Sequence, residues 1–177
     1  MLGIFSLTVL PAKNEESYPE TLPPAEAVMH IAAAKARDTA GRAPADSLIL
    51  AADTVVCLDG QILEKPADAA DARRMLRLLS GRTHRVFTGM ALRRGSRELT
   101  DFAEAAVTFR PLSAAEIDAY VATGAPLDKA GAYGAQDMAA LFVERIEGEF
   151  YTVVGLPMCR LAELFRRFGE PLLDAHA

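Results

Sequence analysis

An aspartate stands inside an apolar run, Ala51-Ala52-Asp53-Thr54-Val55-Val56. A buried carboxylate costs free energy unless it is paired or bound to a cation, so Asp53 marks a place where positive charge is expected. Near the end of a strand it would open into the crevice where α/β sheets take ligands. There Asp53 can hold a divalent cation or orient an attacking water; it can equally cap a neighbouring turn through backbone N–H groups. Two lysines are placed to serve an anion. Lys65, in Glu64-Lys65-Pro66, follows twelve residues later. The proline fixes the chain direction there, and a compact ammonium suits a phosphate, although a solvated surface lysine is the simpler reading. Lys35 sits among alanines, whose small side chains let its stem pack inward with the ammonium at a site rim; the alternative is an ordinary helix lysine. The stretch 127–140, LDKAGAYGAQDMAA, is loose enough in composition for backbone to approach a ligand closely. Within it Gln136 can hydrogen-bond a base edge or a water. The structural alternative is a tight turn around a packed Tyr133.

Other charged positions carry less. Arg82 and His84 can meet phosphate, but His84 has no cysteine or acid beside it and reads as a surface residue of an alternating strand. Arg73-Arg74 reads as a solvated helix face. Neither GxxxxGK[ST] nor GxGxxG occurs, which disfavours phosphoryl transfer of the Walker type. A net charge of -5 predicts no broad basic face for nucleic acid. Cys57 and Cys159 each lie in an apolar run and read as reduced core thiols, with no spacing for zinc. No run approaches the ~20 apolar residues of a membrane span, and the apolar start lacks a basic region and a cleavage site; the expected compartment is the cytoplasm.

The elements that must position these groups follow from periodicity. With 177 residues, 51% of them hydrophobic, the chain can bury most of a real core. Strands are expected at Ile4–Leu10 and within Asp46–Leu58, the latter continuous in hydrophobicity as in a sheet covered on both faces. Asp59-Gly60 predicts a hairpin into Gln61-Ile62-Leu63. Helices are expected over Ala25–Ala40, with Ala27, Ile31, Ala34 and Ala36 inward, and from Asp68 to Ser80-Gly81, with Ala72, Met75, Leu76 and Leu79 on one face. Two strands, Thr83–Arg93 and Glu98–Phe109, flank a turn at Arg94-Gly95-Ser96. Ser113 and Glu116 have capping-box spacing and start a helix that stops at Gly124. Strands are expected at Leu141–Ile146 and Tyr151–Val154, then a last helix at Leu161–Phe168. The order predicts one α/β domain with a mixed sheet flanked by helices.

Four stretches in this order resemble the Maf family of nucleotide pyrophosphatases: AADTVV (51–56), ILEKPADAADARRMLRLLSGRTHRVFTG (62–89), TFRPLSAAEIDAYVATGAPLDKAGAYGAQ (108–136) and FVERIEGEFYTVVGLP (142–157). The resemblance spans Leu2 to Phe168. It implies an elongated, two-lobed fold like that of inosine-triphosphate pyrophosphatases, forming a single domain over residues 1–177, with the site in a cleft. It implies cleavage between the α- and β-phosphates of a nucleoside triphosphate with Mg²⁺ or Mn²⁺, and LDKAGAYGAQ looks like the branch acting on dTTP and UTP. By match to the family motifs, Asp53 is the central acid, as metal ligand or base; Lys35 and Lys65 grip the triphosphate; Gln136 and Thr54 help position water or metal; and Glu16, of the pair Glu15-Glu16, is the second metal ligand. Family members begin with a strand and a Ser-x-Ser-Pro-Arg-Arg loop that has no counterpart among these residues. Either the true start lies upstream or the chain is truncated and poorly active. The competing class is a non-catalytic nucleotide-binding regulator of cell division, a septum-formation inhibitor. The expected partner is the nucleotide, with no nucleic acid or membrane; the oligomeric state, a homodimer included, stays open.

Overall fold

The computed structural model of the protein describes residues 7–13, 17–19 and 21–172. In chain order these form helix α1 (Pro24–Ala40), strands β1 (Ile49–Leu58) and β2 (Gln61–Leu63), α2 (Ala69–Leu79), β3 (Thr83–Arg94), β4 (Arg97–Phe109), α3 (Ala114–Ala122), three 3-10 turns, β5 (Val143–Glu147), α4 (Phe150–Val154) and α5 (Met158–Phe168). The five strands make one sheet in the order β2-β1-β3-β4-β5. Its two edge pairings, β2 with β1 and β5 with β4, are antiparallel, so the mixed sheet expected from the element order is antiparallel at both edges. The α/β class with helices flanking a sheet is as expected. The chain divides into two compact units, one of Met1–Asp53, Gly89–Phe102 and Met158–Ala177, the other of Thr54–Thr88 and Ala103–Pro157.

In the first unit the alanine-rich α1 buries Ala27, Val28, Ile31, Ala32, Ala33 and Ala36. Small side chains let helix and strand backbones come close, and β3 answers with a glycine. A Cβ added at Gly89 would lie 2.4 Å from the carbonyl carbon of Val28. Only glycine permits that approach. On α5 the buried residues Leu161, Leu164 and Phe168 fall on one helical stripe. Cys159 lies off that stripe and is exposed, so only Cys57 is the core thiol that the sequence suggested for both.

In the second unit α2 starts at Asp68, whose side chain accepts from Asp71 N–H, and buries Ala72, Met75, Leu76 and Leu79. Each buried leucine contributes about 1.5–3 kcal/mol. The capping box at Ser113 and Glu116 forms as its spacing predicts, and α3 buries Ile117, Tyr120 and Val121. The Asp59-Gly60 turn registers Leu58 with Gln61, Cys57 with Ile62 and Val56 with Leu63.

Three further expectations fail. Residues 7–10 have no regular structure, and the earlier part of that expected strand lies outside the described residues. Tyr151–Val154 belongs to α4, not to a strand. Its β-branched residues favour a strand, but Gly155 at φ 110° ends the turn, with its N–H on Tyr151 O at 3.1 Å. A left-handed glycine closing one helical turn overrides propensity over so short a segment. His84 is not at the surface: only 1% of it is exposed. The alternation of β3, with His84, Val86 and Thr88 buried between exposed Thr83 and Arg85, places it on the core face.

Candidate active site

Asp53 is buried on β1, 9% exposed. Lys35 on α1 donates from Nζ to Asp53 Oδ1 at 2.7 Å. The side chains are 16% and 8% exposed, so the pair sits where Coulomb attraction is strong and desolvation is heavy. Both residues belong to the first unit. The structure shows the Asp53 carboxylate on a strand and paired with a lysine from α1.

The second unit holds Thr54, Lys65 and Gln136. Thr54 is half-buried, and its Oγ1 lies 2.8 Å from Thr88 Oγ1. Thr88 in turn donates to the Thr152 carbonyl at 2.7 Å. A hydroxyl has one proton, so Thr54 is the donor to Thr88. Lys65 is exposed beside buried Pro66, just past β2. The carbonyl of Glu64 accepts from Gly131 N–H at 3.1 Å, which ties the Lys65 segment to the glycine-rich loop. Asp128 of that loop is held below the ordinary carboxylate range, chiefly by a hydrogen bond and charge from Lys129 and also by Lys65.

Gln136 is exposed, but its surroundings are fixed. Next to it, Asp137 accepts from Ala139 N–H at 2.8 Å and from Tyr120 hydroxyl at 3.1 Å. Burial first and the Asp137 charge second push the Tyr120 phenol well above its ordinary pKa, so it stays a donor. Three residues before Gln136, Tyr133 reaches the buried His84, its hydroxyl 2.7 Å from Nε2. A Cβ at Gly134 would lie 2.7 Å from Asp137 Oδ2 and 2.8 Å from Lys129 Cε, so the loop is packed against itself. Tyr120 and Thr88 escaped the sequence reading as contributors, and His84 entered it only as a phosphate contact or a surface residue, not as a buried partner of the loop. For His84 and Thr88 the signal was the period-2 spacing with Val86; for Tyr120 none existed.

Residues 1–168 match the family model described as Maf-like protein. The chain belongs to the Maf family. Among its relatives, a dTTP/UTP pyrophosphatase of Salinibacter ruber is 51% identical over 174 residues, 97% of this chain and 84% of that protein. One of Moorella thermoacetica is 50% identical over 164 residues, 92% and 84% of the two chains. One of Symbiobacterium thermophilum is 49% identical over 154 residues, 87% and 79%. The four stretches that resembled the Maf family lie within the matched residues.

A Maf enzyme implies a divalent metal, and the donors can be tested against it. Among the described residues no three His, Cys, Asp or Glu side chains gather into a metal cluster. Mg²⁺-type ions, however, are held by one or two carboxylates together with substrate phosphates and water, not by a full protein cage. The Asp53 carboxylate is a hard oxygen donor of that kind and fits the role. Glu16, the expected second ligand, lies outside the described residues. None of the described helices is long and apolar enough to cross a membrane.

Proposed function

We propose that the protein hydrolyses dTTP and UTP to the nucleoside monophosphate and pyrophosphate. The observation that carries this reading is the near-complete match to relatives bearing that activity in their names. The buried Lys35–Asp53 pair supports it.

The reaction is attack of water on the α-phosphorus. A new P–O bond forms from the water, the bond to the bridging oxygen breaks, and its electron pair leaves on pyrophosphate. The proton lost by the water goes to the Asp53 carboxylate, which Lys35 keeps charge-balanced inside a largely dry environment. General-base help of this kind is worth about 10²–10⁴-fold. Lys65 grips a phosphate as a mobile point charge. The Gln136 amide, held by its packed loop, orients the water, and positioning dominates this chemistry. Thr54, whose proton is committed to Thr88, offers only lone pairs and so accepts from water or meets a cation. A divalent ion, Mg²⁺ or Mn²⁺, held by Asp53 and Glu16, would offset phosphate charge during the reaction.

A non-catalytic regulator that binds nucleotide is the weaker account, because binding alone gives no reason to desolvate a carboxylate in a triphosphate enzyme's acid position. The deciding experiment is pyrophosphate release from dTTP, UTP, CTP and 7-methyl-GTP, with Mg²⁺, with Mn²⁺ and after chelation, for the native chain and Asp53→Asn. Release from dTTP and UTP that chelation and Asp53→Asn abolish supports the reading. Nucleotide binding without release from any of the four overturns it.

A further inference from the structure

We infer that His84 and Tyr133 are a positioning pair for this reaction: their buried hydrogen bond sets the conformation of the 129–137 loop that presents Gln136. The inference rests on the pyrophosphatase reading above and deepens it by naming what holds one of its groups in place.

Both side chains of the pair are buried. His84 is 1% and Tyr133 5% exposed. Among the described residues His84 Nδ1 is buried without a hydrogen-bond partner, so the imidazole's one bond there is to the Tyr133 hydroxyl at 2.7 Å. Phe109 completes an edge-to-face trio, its ring centroid 5.0 Å from His84 and 4.8 Å from Tyr133. Such contacts orient rings as well as bury them. An imidazole with a single partner in an apolar niche depends on that partner, because losing it leaves the ring's polar atoms with none.

The backbone leading to Tyr133 is strained. Gly131 has φ 66° and Ala132 φ 61°. Glycine takes this left-handed region freely, but a residue with a Cβ takes it only where its surroundings insist. Ala132 is fully buried, and a Cβ at Gly131 would lie 2.8 Å from Val56 Cγ2. Two consecutive left-handed residues, one of them strained, lead straight into the side chain that His84 holds. The second anchor, Asp137 on Tyr120, lies beyond Gln136. Gln136 is therefore suspended between two fastenings, the buried His84–Tyr133 bond and the half-buried Tyr120–Asp137 bond, and the first is the one that opposes backbone strain.

Tyr133→Phe removes one hydroxyl and leaves the ring packing. In the full chain it is expected to lower kcat for dTTP about tenfold, with KM changed less than about twofold, as for a small misplacement of a catalytic group. Amide hydrogen exchange in residues 129–137 should speed up about tenfold while β3 and β4 stay protected, the mark of local loosening. Combined with Gln136→Ala, which abolishes the group being positioned, Tyr133→Phe should add almost nothing further to the loss of kcat. His84→Gln, which keeps a hydrogen-bonding side chain, should retain more activity than His84→Leu. Unchanged loop exchange and unchanged kcat, with only a lower urea midpoint, overturns the proposal, as does full additivity with Gln136→Ala. If the native chain releases no pyrophosphate, the functional reading fails separately. The exchange arm then decides: acceleration confined to 129–137 upholds the anchoring of the loop, and no acceleration overturns it.

Discussion

Lys35 Nζ and Asp53 Oδ1 lie 2.7 Å apart, a helix lysine and a strand aspartate paired with side chains only 16% and 8% exposed. Removing one partner of such a pair strands the other in a poorly solvated place. Lys35→Met is expected to cost about 3–5 kcal/mol of folding stability, more than a surface lysine ever does. Asp53→Asn keeps a hydrogen-bond acceptor for Lys35 and should cost less stability than Lys35→Met while losing pyrophosphate release. Urea denaturation followed by circular dichroism, run beside the activity assay, separates the two effects. Equal stability losses for the two variants would show that the pair is not desolvated as described.

Gly89 faces the α1 backbone, where an added Cβ would lie 2.4 Å from Val28 C and 2.6 Å from Met29 N. Backbone cannot step aside as a flexible side chain can. Gly89→Ala should therefore destabilise by about 1–3 kcal/mol or more, by forcing α1 away from β3. Gly60→Ala is the contrast: that site has open space around it and only a positive φ of 81° to oppose the change. Thermal melting of the two variants checks the ranking, with the larger drop expected at Gly89.

Thr88 donates to Thr152 O at 2.7 Å and receives from Thr54 at 2.8 Å. Thr88→Val keeps the shape and removes both bonds, leaving the Thr54 hydroxyl without its acceptor at a cost of about 1–3 kcal/mol, while the Thr152 carbonyl keeps the Gly155 N–H. Thr88→Ser keeps the hydroxyl and should lose only the packing of one methyl. A urea midpoint that falls equally in both variants would exclude the hydroxyl chain as a source of stability.

Acid should weaken the fold in two windows. Burial pushes His84 from 6.5 down to about 4, so the unfolded chain takes up this proton before the folded one does. Stability is untouched by this group above about pH 6.5, falls as the pH drops from 6.5 toward 4, and has lost about 3 kcal/mol once both states are protonated. Glu116 acts lower. The Arg110 hydrogen bond, then those of Ser113, depress it from 4.5 to about 2; its stabilisation is present above pH 4.5 and is lost as the pH falls through 2. Urea midpoints at pH 7.5, 5.5 and 4.5 should decline, and His84→Gln should flatten that decline. A native chain equally stable at pH 7.5 and 4.5 would show that His84 is not held neutral.

Much of this was legible along the chain. The Asp59-Gly60 hairpin, the Asp68 and Ser113 caps, the buried face of α2 and that of α1, except for Ala34, which was expected inward and is half-buried, depend on residues a few positions apart, so their chemistry can be read in order. Asp53, Lys35, Lys65 and Gln136 were candidates by type and context alone, and the family match gave those types a reaction. What sequence order could not supply was pairing across distance. The charge that meets Asp53 comes from eighteen residues away, and the hydroxyl that meets His84 from forty-nine. Nothing local distinguishes these partners from other lysines and tyrosines. The same holds where the reading failed. Val153-Val154 favours a strand by propensity, yet Gly155 closes it into a helical turn. His84 looked solvated because its companions were absent from its own neighbourhood in the chain. Short-range rules fix backbone preference and which face is apolar. The desolvation and hydrogen bonding that turn a residue type into a site are properties of the folded surroundings, which only the tertiary structure decided.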